Sequence, residues 1–318
     1  MHSACLHGIR LHVNAASAQS LASWLDSNPG HPDAPAVAVE VVADRTAPAV
    51  LELFLQEKVG WLGRTATGLV VGNDEQAWFT IEGSKIRGVL GHSDATRDLL
   101  VAALIIALRA MGVYLIHAGA VSFEDRALLL IGDSGAGKST TAIGLVNAGC
   151  SYLGDDGCLI REHAGDVELL PLWSSFRLTD SSLASFSSLK PHSHKHAEDD
   201  KWRLDVPAAF PGRHLAHWLG RKTILFLERS GQHGSFLHPL PKADAMGRLI
   251  AQSNALSLAC HPNMRGHLDL LARLVSVSRT ARLQLGTEWL ADPRAAADRL
   301  IHQVRSFSPP NEPHSEAS

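Results

Sequence analysis

The chain has 318 residues, of which 45% are hydrophobic and 19% are charged, and its formal net charge is −3. This composition is typical of a soluble globular protein with one large domain or two smaller ones, and it gives no net attraction to nucleic acid or to an acidic membrane. The four cysteines, which form no C-x-x-C pair, indicate neither a zinc ribbon nor a disulfide framework. We therefore expect reduced thiols in a cytoplasmic protein.

The first part of the chain, residues 1–93, is predicted to be a smaller, strand-rich N-terminal domain. Short apolar or β-branched stretches alternate there with turn residues, which is typical of antiparallel strands joined in a meander. The clearest stretches are residues 37–42, 68–72, 77–81 and 86–90. We find no pattern in this part that indicates chemistry.

The next segment, residues 94–111, has the apolar spacing of a helix, and residues 113–117 are predicted to be a strand. Most residues from 99 to 116 are apolar, so a membrane-spanning helix is the alternative. Arg109 and Gly112 interrupt the run, which favours a buried helix followed by a strand. The N-terminus shows no secretory signal pattern, so a cytoplasmic protein with no membrane partner is expected.

A second domain, residues 94–303, is predicted to have an α/β fold. Residues 120–123 and 127–131 form a predicted hairpin, and a glycine-rich loop connects it to a helix over residues 138–148. Further along, the pattern predicts a central strand at 223–227, helices at 241–250 and 267–275, and a late strand at 281–285.

Two polar segments are predicted to lack regular structure. Residues 191–200 have a histidine spacing that could bind a metal, but their composition is more typical of a mobile surface loop. Residues 304–318, which are rich in Ser, Pro, Glu and His, are predicted to be a disordered tail.

The strongest signal is the loop Gly132-Asp133-Ser134-Gly135-Ala136-Gly137-Lys138-Ser139-Thr140, which matches G-x-x-x-x-G-K-[ST]. In such a loop, glycines let successive N–H groups point at phosphate oxygens, and the following helix adds its positive dipole end. Lys138 is expected to reach the β- and γ-phosphates and Ser139 to provide a hydroxyl for Mg²⁺. Thr140 is expected near the base-side phosphates or in packing. The flanking strand and helix favour this interpretation over a chance glycine-rich turn.

Two adjacent carboxylates, Asp155 and Asp156, end the strand that follows this helix. Like charges at a strand end repel each other unless a cation or a proton compensates for them. A solvated turn is the alternative, because the flanking residues are glycines. Proximity to the phosphate loop favours a catalytic pair, in which one carboxylate contacts Mg²⁺ and the other accepts a proton from an attacking hydroxyl.

Two motifs that identify other classes of nucleotide-binding protein are missing from the sequence. The sequence contains no N-K-x-D segment, which disfavours a GTPase, and no L-S-G-G-Q-like segment, which disfavours a transporter ATPase. A phosphate loop followed closely by a carboxylate pair favours a kinase.

Residues 117–160 resemble the HPr kinase/phosphorylase family, whose nucleotide fold is shared with ATP-dependent phosphoenolpyruvate carboxykinase. The resemblance consists of His117-Ala118-Gly119-Ala120-Val121, a hairpin, the loop 132–140, and Leu153-Gly154-Asp155-Asp156, in this order. Looser similarity extends over residues 95–300. The resemblance implies a P-loop nucleotide-binding domain of the PEP carboxykinase/HPr kinase type, with ATP and Mg²⁺ as cofactors.

The resemblance also implies residue roles. His117 would lie near the γ-phosphate or the paired carboxylates, Asp156 would be the general base, and Asp155 would join Ser139 as a metal ligand. The segment with which bifunctional members reverse the phosphorylation is not found, and residues 1–93 do not resemble their regulatory domain. The chain is therefore similar to a divergent branch that phosphorylates serines in other proteins or peptides.

Three further cations, Arg177, Lys201 and Arg203, are candidates for neutralising the transferred phosphate, with ordinary solvated charges as the alternative. Together, these observations predict an ATP-dependent kinase that transfers the γ-phosphoryl group to a serine hydroxyl of a protein or peptide. A small-metabolite kinase and a non-catalytic ATP-binding switch protein are the alternatives. No nucleic-acid partner is expected, and a homo-oligomer is compatible with the resemblance because relatives of this fold assemble.

Overall fold

The structure, a computed structural model, describes residues 2–6, 9–21, 35–44, 46–57, 60–73, 77–90, 94–195, 201–252 and 263–307. The chain divides into two compact units. The first comprises Met1–Leu115, Leu159–Glu162 and Ser253–Asp269, and the second comprises Ile116–Cys158, His163–Gln252 and Leu270–Ser318.

Strands and helices are mixed along the described chain, as the sequence predicted. The strands are β1 His2–Leu6, β2 Ile9–Val13, β3 Ala36–Val41, β4 Glu52–Glu57, β5 Gly60–Arg64, β6 Leu69–Gly72, β7 Trp78–Glu82, β8 Lys85–Val89, β9 Val113–Ile116, β10 Ala118–Phe123, β11 Arg126–Ile131, β12 Ser151–Gly154, β13 Cys158–His163, β14 Asp166–Pro171, β15 Ser175–Leu178, β16 Ser193–Lys195, β17 Trp202–Asp205, β18 Arg221–Arg229, β19 Phe236–Pro239 and β20 Arg279–Leu285. The helices are α1 Ala15–Leu21, α2 Asp94–Ala110, α3 Lys138–Asn147, α4 Asp180–Ser185, α5 Val206–Ala209, α6 Lys242–Ala251, α7 Met264–Val277, α8 Glu288–Ala291 and α9 Pro293–Ser306, with a 3₁₀ turn at Ser187–His192.

The first unit contains an eight-stranded sheet in the order β1-β2-β3-β8-β7-β6-β5-β4. Its strands β4 to β8 form an antiparallel meander. The sequence predicted β6, β7 and β8 of this meander but not β4 and β5. The pairs β2–β3 and β3–β8 are parallel, so the predicted all-antiparallel arrangement is wrong for this half of the sheet. The reason is that a crossover containing α1, rather than a tight turn, joins β2 to β3.

Helix α2 belongs to the first unit. It packs on β6, β7 and β8, and Leu100, Leu104 and Leu108 are fully buried. The division of the chain after Leu115 therefore differs from the boundary that the sequence predicted at residue 93. That boundary rested on a change of hydrophobic pattern, which marks where strands give way to a helix but not which core the helix joins.

The second unit is built around a six-stranded sheet in the order β12-β10-β11-β18-β20-β19. The strands β11, β18 and β20 are parallel, whereas β10 is antiparallel to both of its neighbours, β11 and β12. The predicted hairpin, the helix after the glycine-rich loop, the central strand and the late strand are all confirmed. Helix α3 covers this sheet with buried residues such as Ile143 and Leu145.

A small antiparallel sheet in the order β15-β17-β16 follows in the same unit. Phe176, Leu178 and Leu204 on one of its faces are fully buried in the core of the unit. The sequence predicted a loop over residues 191–200, but residues 193–195 form β16; residues 196–200 lie outside the described part of the chain. An edge strand with exposed side chains carries no apolar pattern, so β16 could not be predicted from the spacing of apolar residues.

The end of the described chain is a helix. Pro293–Ser306 overlaps the start of the tail predicted at 304–318, and residues 308–318 lie outside the described residues. Within the described ranges, no helix is sufficiently long and apolar to cross a membrane. The apolar stretch at 99–116 is instead divided between α2 and β9.

Candidate functional site

Three of the segments that the sequence singled out lie at one edge of the six-stranded sheet. The strands β11, β18 and β20 run in the same direction, and β12 shares that direction because both β11 and β12 are antiparallel to β10. The glycine-rich loop follows the carboxyl end of β11, the two aspartates follow that of β12, and His117 precedes the start of β10. The carboxyl edge of parallel strands is where ligands bind in α/β sheets. The topology thus brings three separate chain segments together.

The glycine-rich loop has a conformation that depends on its glycines. Gly135 and Gly137 have φ angles of +80° and +103°, in the left-handed region that other residues rarely adopt. A Cβ on Gly137 would lie 2.9 Å from Leu285 Cδ1. Gly137 also precedes α3 without a side-chain hydrogen bond to cap the helix. The backbone N–H groups at this helix start are therefore not satisfied by a cap side chain, which suits an anionic ligand.

Lys138 is buried, and its ammonium group folds back over the loop. Its Nζ donates hydrogen bonds to the carbonyl oxygens of Gly132 (2.7 Å) and Asp133 (3.2 Å). Burial lowers the pKa of Lys138, while the charges of Asp156 and Asp155 act in the opposite direction. The lysine thus lies within electrostatic range of both aspartates.

Asp155 is a buried carboxylate with one unsatisfied oxygen. Its Oδ2 accepts a hydrogen bond from the backbone N–H of Arg177 (3.2 Å), whereas its buried Oδ1 has no hydrogen-bond partner among the described residues. The pKa of Asp155 is raised to about 6, mainly because the carboxyl is buried. The charge of Asp156 also raises this pKa, whereas the hydrogen bonds from the Arg177 N–H and the Ser139 hydroxyl lower it. A buried carboxylate oxygen beside a serine hydroxyl is a donor set that Mg²⁺ prefers.

Asp156 is one-third exposed and is held between two basic side chains. Its Oδ1 lies 3.5 Å from His117 Nδ1, and its Oδ2 lies 3.8 Å from Arg177 Nη1. His117 Nδ1 is also 3.1 Å from the backbone carbonyl oxygen of Asp156, which can only accept, so the proton of this hydrogen bond is on Nδ1. The backbone of Asp156 is left-handed, with φ of +61°. Such a conformation in a non-glycine residue is uncommon and often marks a functional position.

The remaining loop residues have different surroundings. The Asp133 carboxylate accepts a hydrogen bond from Gln252 Nε2 (2.6 Å). The hydroxyl of Thr140 lies 3.0 Å from that of Ser182 on α4. Ser134, Gly135 and Ala136 form the tip of the loop.

A cavity of about 190 Å³ opens beside the start of α3. It lies at the same sheet edge, because its walls come from the ends of β18 and β20. Its lining residues include Gly137, Thr140, Arg229, Gly286 and Trp289. The sequence motifs did not indicate Arg229 or Trp289. Their positions were the only sequence signal, because Arg229 ends the strand β18 and Trp289 comes shortly after the strand β20.

Comparisons with known proteins add little to this geometry. No family model and no curated protein matches the chain. Among solved structures, the HPr(Ser) kinase/phosphatase from Coxiella burnetii is similar over 60% of this chain and 94% of its own, with 9% identity and a TM-score of 0.31. A similarity of this size does not indicate function.

Proposed function

We propose that the chain is an ATP-dependent kinase that transfers the γ-phosphoryl group of ATP to a serine hydroxyl of a protein or peptide. The observation that carries the proposal is the convergence, at one sheet edge, of the loop 132–140 with Lys138 and of the pair Asp155-Asp156. Electrostatic positioning of this kind is most of what a phosphoryl-transfer enzyme must supply.

The loop and its lysine would hold the triphosphate. Backbone N–H groups at the start of α3 would bind phosphate oxygens, and Lys138 would exchange its hydrogen bonds to Gly132 and Asp133 for bonds to the β- and γ-phosphates. The cavity lined by Thr140 and Trp289 adjoins the same helix start and would receive part of the nucleoside. This assignment gives a P-loop class of fold to the second unit.

The residues present fit a magnesium ion. The unsatisfied Oδ1 of Asp155 and the hydroxyl of Ser139 would hold it, and Mg²⁺ when bound would neutralise charge on the phosphate oxygens. Ionised Asp155 is the form that binds metal, and a nearby cation lowers the free energy of this buried charge.

Asp156 would act as the general base. Its carboxylate would accept the proton of the serine hydroxyl as the serine oxygen forms a bond to the γ-phosphorus and the bond from that phosphorus to the β-γ bridging oxygen breaks, leaving ADP and phosphoserine. His117 and Arg177 contact this carboxylate from two sides. They would hold its orientation, and Arg177 would also offset charge on the transferred group.

The test is transfer of label from γ-³²P-ATP to cell-extract proteins, followed by identification of the labelled amino acid. We expect phosphoserine with the wild-type protein and Mg²⁺. The Lys138→Ala and Asp156→Ala variants are expected to lose at least about a hundredfold in rate, because each removes a group that acts in the transition state. Asp125→Asn, at the opposite end of the same hairpin, is the matched control and should keep full activity.

Other outcomes would select the alternatives. Label in small solutes would indicate a metabolite kinase, and tight Mg·ATP binding without transfer to any acceptor would indicate a nucleotide-dependent switch. Normal turnover of the Asp156→Ala variant would refute its role as the base.

A further inference from the structure

A row of basic side chains crosses the small sheet β15-β17-β16. Arg177 on β15 is paired with Arg203 on β17, and Arg203 is paired with His194 on β16. Directly paired residues point to the same face of a sheet. Because the alternate residues Phe176 and Leu204 are buried, the row lies on the opposite face, away from the core.

One end of this row reaches the candidate catalytic residues. Arg177 Nη1 lies 3.8 Å from Asp156 Oδ2, and the Arg177 backbone N–H bonds to Asp155. Lys201 lies two residues before Arg203 and is close enough to Lys138 for its charge to lower the pKa of that lysine. The basic row therefore starts at the proposed base and extends away from it.

We propose that this basic row, Arg177-Arg203-His194, binds an anionic group of the phosphoryl acceptor, so that the enzyme selects serines with a neighbouring negative charge. The inference rests on the proposed function, because it needs an acceptor hydroxyl at Asp156. A guanidinium group binds a carboxylate or a phosphate through charge-assisted hydrogen bonds, and two such groups directly opposite each other on one sheet face can contact the same anion. An acidic acceptor would also be steered towards the site.

The dimensions of the row limit where the anion can be. Neighbouring strands are about 4.8 Å apart, so the row extends about 10 Å from Arg177 to His194. An extended peptide advances about 3.3 Å per residue. An acidic side chain within about three residues of the serine would thus reach the row while the hydroxyl lies at Asp156. A small hydroxy acid of similar length has the same chemistry.

The test compares acceptors that differ only in charge. Serine-centred synthetic peptide libraries with Glu, Gln or Lys at the flanking positions are assayed beside glycerate and glycerol, using γ-³²P-ATP and Mg²⁺. We expect kcat/KM to be at least about tenfold higher for the anionic acceptors, the size of one charge-assisted hydrogen bond. The peptide and glycerate arms distinguish the two sources of the anion.

Substitutions in the basic row test whether it causes the preference for anionic acceptors. Arg203→Gln and the double variant Arg203→Gln with His194→Gln should lower kcat/KM for anionic acceptors about tenfold or more and change that for neutral ones less than about threefold. Lys195→Gln removes a cation from the same strand but outside the row, and should leave the preference intact. Equal transfer to neutral acceptors, or a preference that survives in the double variant, would overturn the inference.

Mg·ATP binding, measured by calorimetry on the same samples, separates the two claims. If Mg·ATP does not bind to the wild type, the proposed function fails and the acceptor inference with it. If Mg·ATP binds and label is transferred without regard to acceptor charge, only the inference about the basic row fails.

Discussion

At the scale of single residues, the buried carboxyl of Asp155 is the feature of the site that most destabilises the metal-free fold. An ionised carboxylate with an unsatisfied oxygen in the interior is unfavourable for folding unless a cation offsets it. The fold nevertheless holds it in place through the backbone N–H of Arg177. A position that reduces the stability of the metal-free protein is typical of functional sites.

The unfavourable burial of this charge predicts the stability of the Asp155→Asn variant. In the presence of a chelator at pH 8, we expect the variant to be more stable than the wild type by about 1–3 kcal/mol, because burying a neutral amide is less unfavourable than burying a carboxylate. Urea denaturation measures the difference. Excess Mg²⁺ with ATP should stabilise the wild type but not the variant. A variant that is less stable than the wild type in chelator would contradict this account of Asp155, and Asp125→Asn serves as the exposed control.

A second buried residue predicts a pH dependence in the first unit. His267 accepts a hydrogen bond from Arg109 Nη1 at its Nδ1 (3.1 Å) and stacks on Tyr114 at 4.7 Å. Burial, together with the Arg109 charge, lowers the pKa of His267 to about 4. The unfolded chain therefore takes up a proton near pH 6.5, whereas the folded one does so only near pH 4.

Because the folded chain has the lower pKa at His267, acid destabilises the fold. The contribution of His267 to stability is full above about pH 6.5 and is lost as the pH falls towards about 4, by up to about 3 kcal/mol. Urea denaturation across this range should show a shallower pH slope for His267→Gln than for the wild type. His302→Gln, which changes an exposed histidine, should keep the wild-type slope. An unchanged slope in His267→Gln would show that the imidazole titrates normally.

At the scale of elements, the conformation of the glycine-rich loop between β11 and α3 favours glycine at position 137, immediately before the helix. Gly137→Ala adds a Cβ 2.9 Å from Leu285 Cδ1 at a φ of +103°. We expect Mg·ATP affinity, measured by calorimetry, to fall at least about tenfold. The left-handed backbone costs an alanine about 1–2 kcal/mol, and the loop would distort to relieve this strain. Gly165→Ala, at φ of +80° with open space around it, has the strain without the clash and should bind normally. Equal affinities for the two variants would mean that the loop conformation does not matter for binding.

The elements differ in how far the sequence could predict them. The segment from 117 to 160 was predictable because continuous apolar runs, which indicate buried strands, alternate there with glycine turns, and the phosphate-loop motif marks the start of the helix. The strands β15, β16 and β17 could not be predicted, because they are short and partly exposed and their pairing depends on residues distant in sequence. The basic row could not be found without the register, since Arg177 and Arg203 are 26 positions apart in the chain.

At the scale of the molecule, the six-stranded sheet accounts for the site. A motif predicts the loop at 132–140, and closeness in sequence to that loop favours a catalytic role for Asp155-Asp156, but neither observation shows that the two segments share a sheet edge. The strand order β12-β10-β11 places them there. Arg229 and Trp289 were missed because their role depends on where β18 and β20 end, which is a property of the whole sheet.

The whole molecule should respond to nucleotide in a way that depends on this edge. With Mg·ATP at a hundred times its dissociation constant, we expect a stabilisation of about 2.7 kcal/mol, seen as a higher Tm. The Lys138→Ala variant should show no such increase, whereas Lys190→Ala, which changes an exposed lysine, should respond like the wild type. An equal rise in Tm for Lys138→Ala and the wild type would place the nucleotide elsewhere.

The most direct measurement is a crystal structure with Mg²⁺ and a non-hydrolysable ATP analogue. We expect the triphosphate on the backbone N–H groups of the loop 132–140, the metal bound by Ser139 and Asp155, and the γ-phosphate between Lys138 and Asp156. A nucleotide bound away from this loop, or an Asp155-Asp156 pair that faces away from the γ-phosphate, would contradict this expectation.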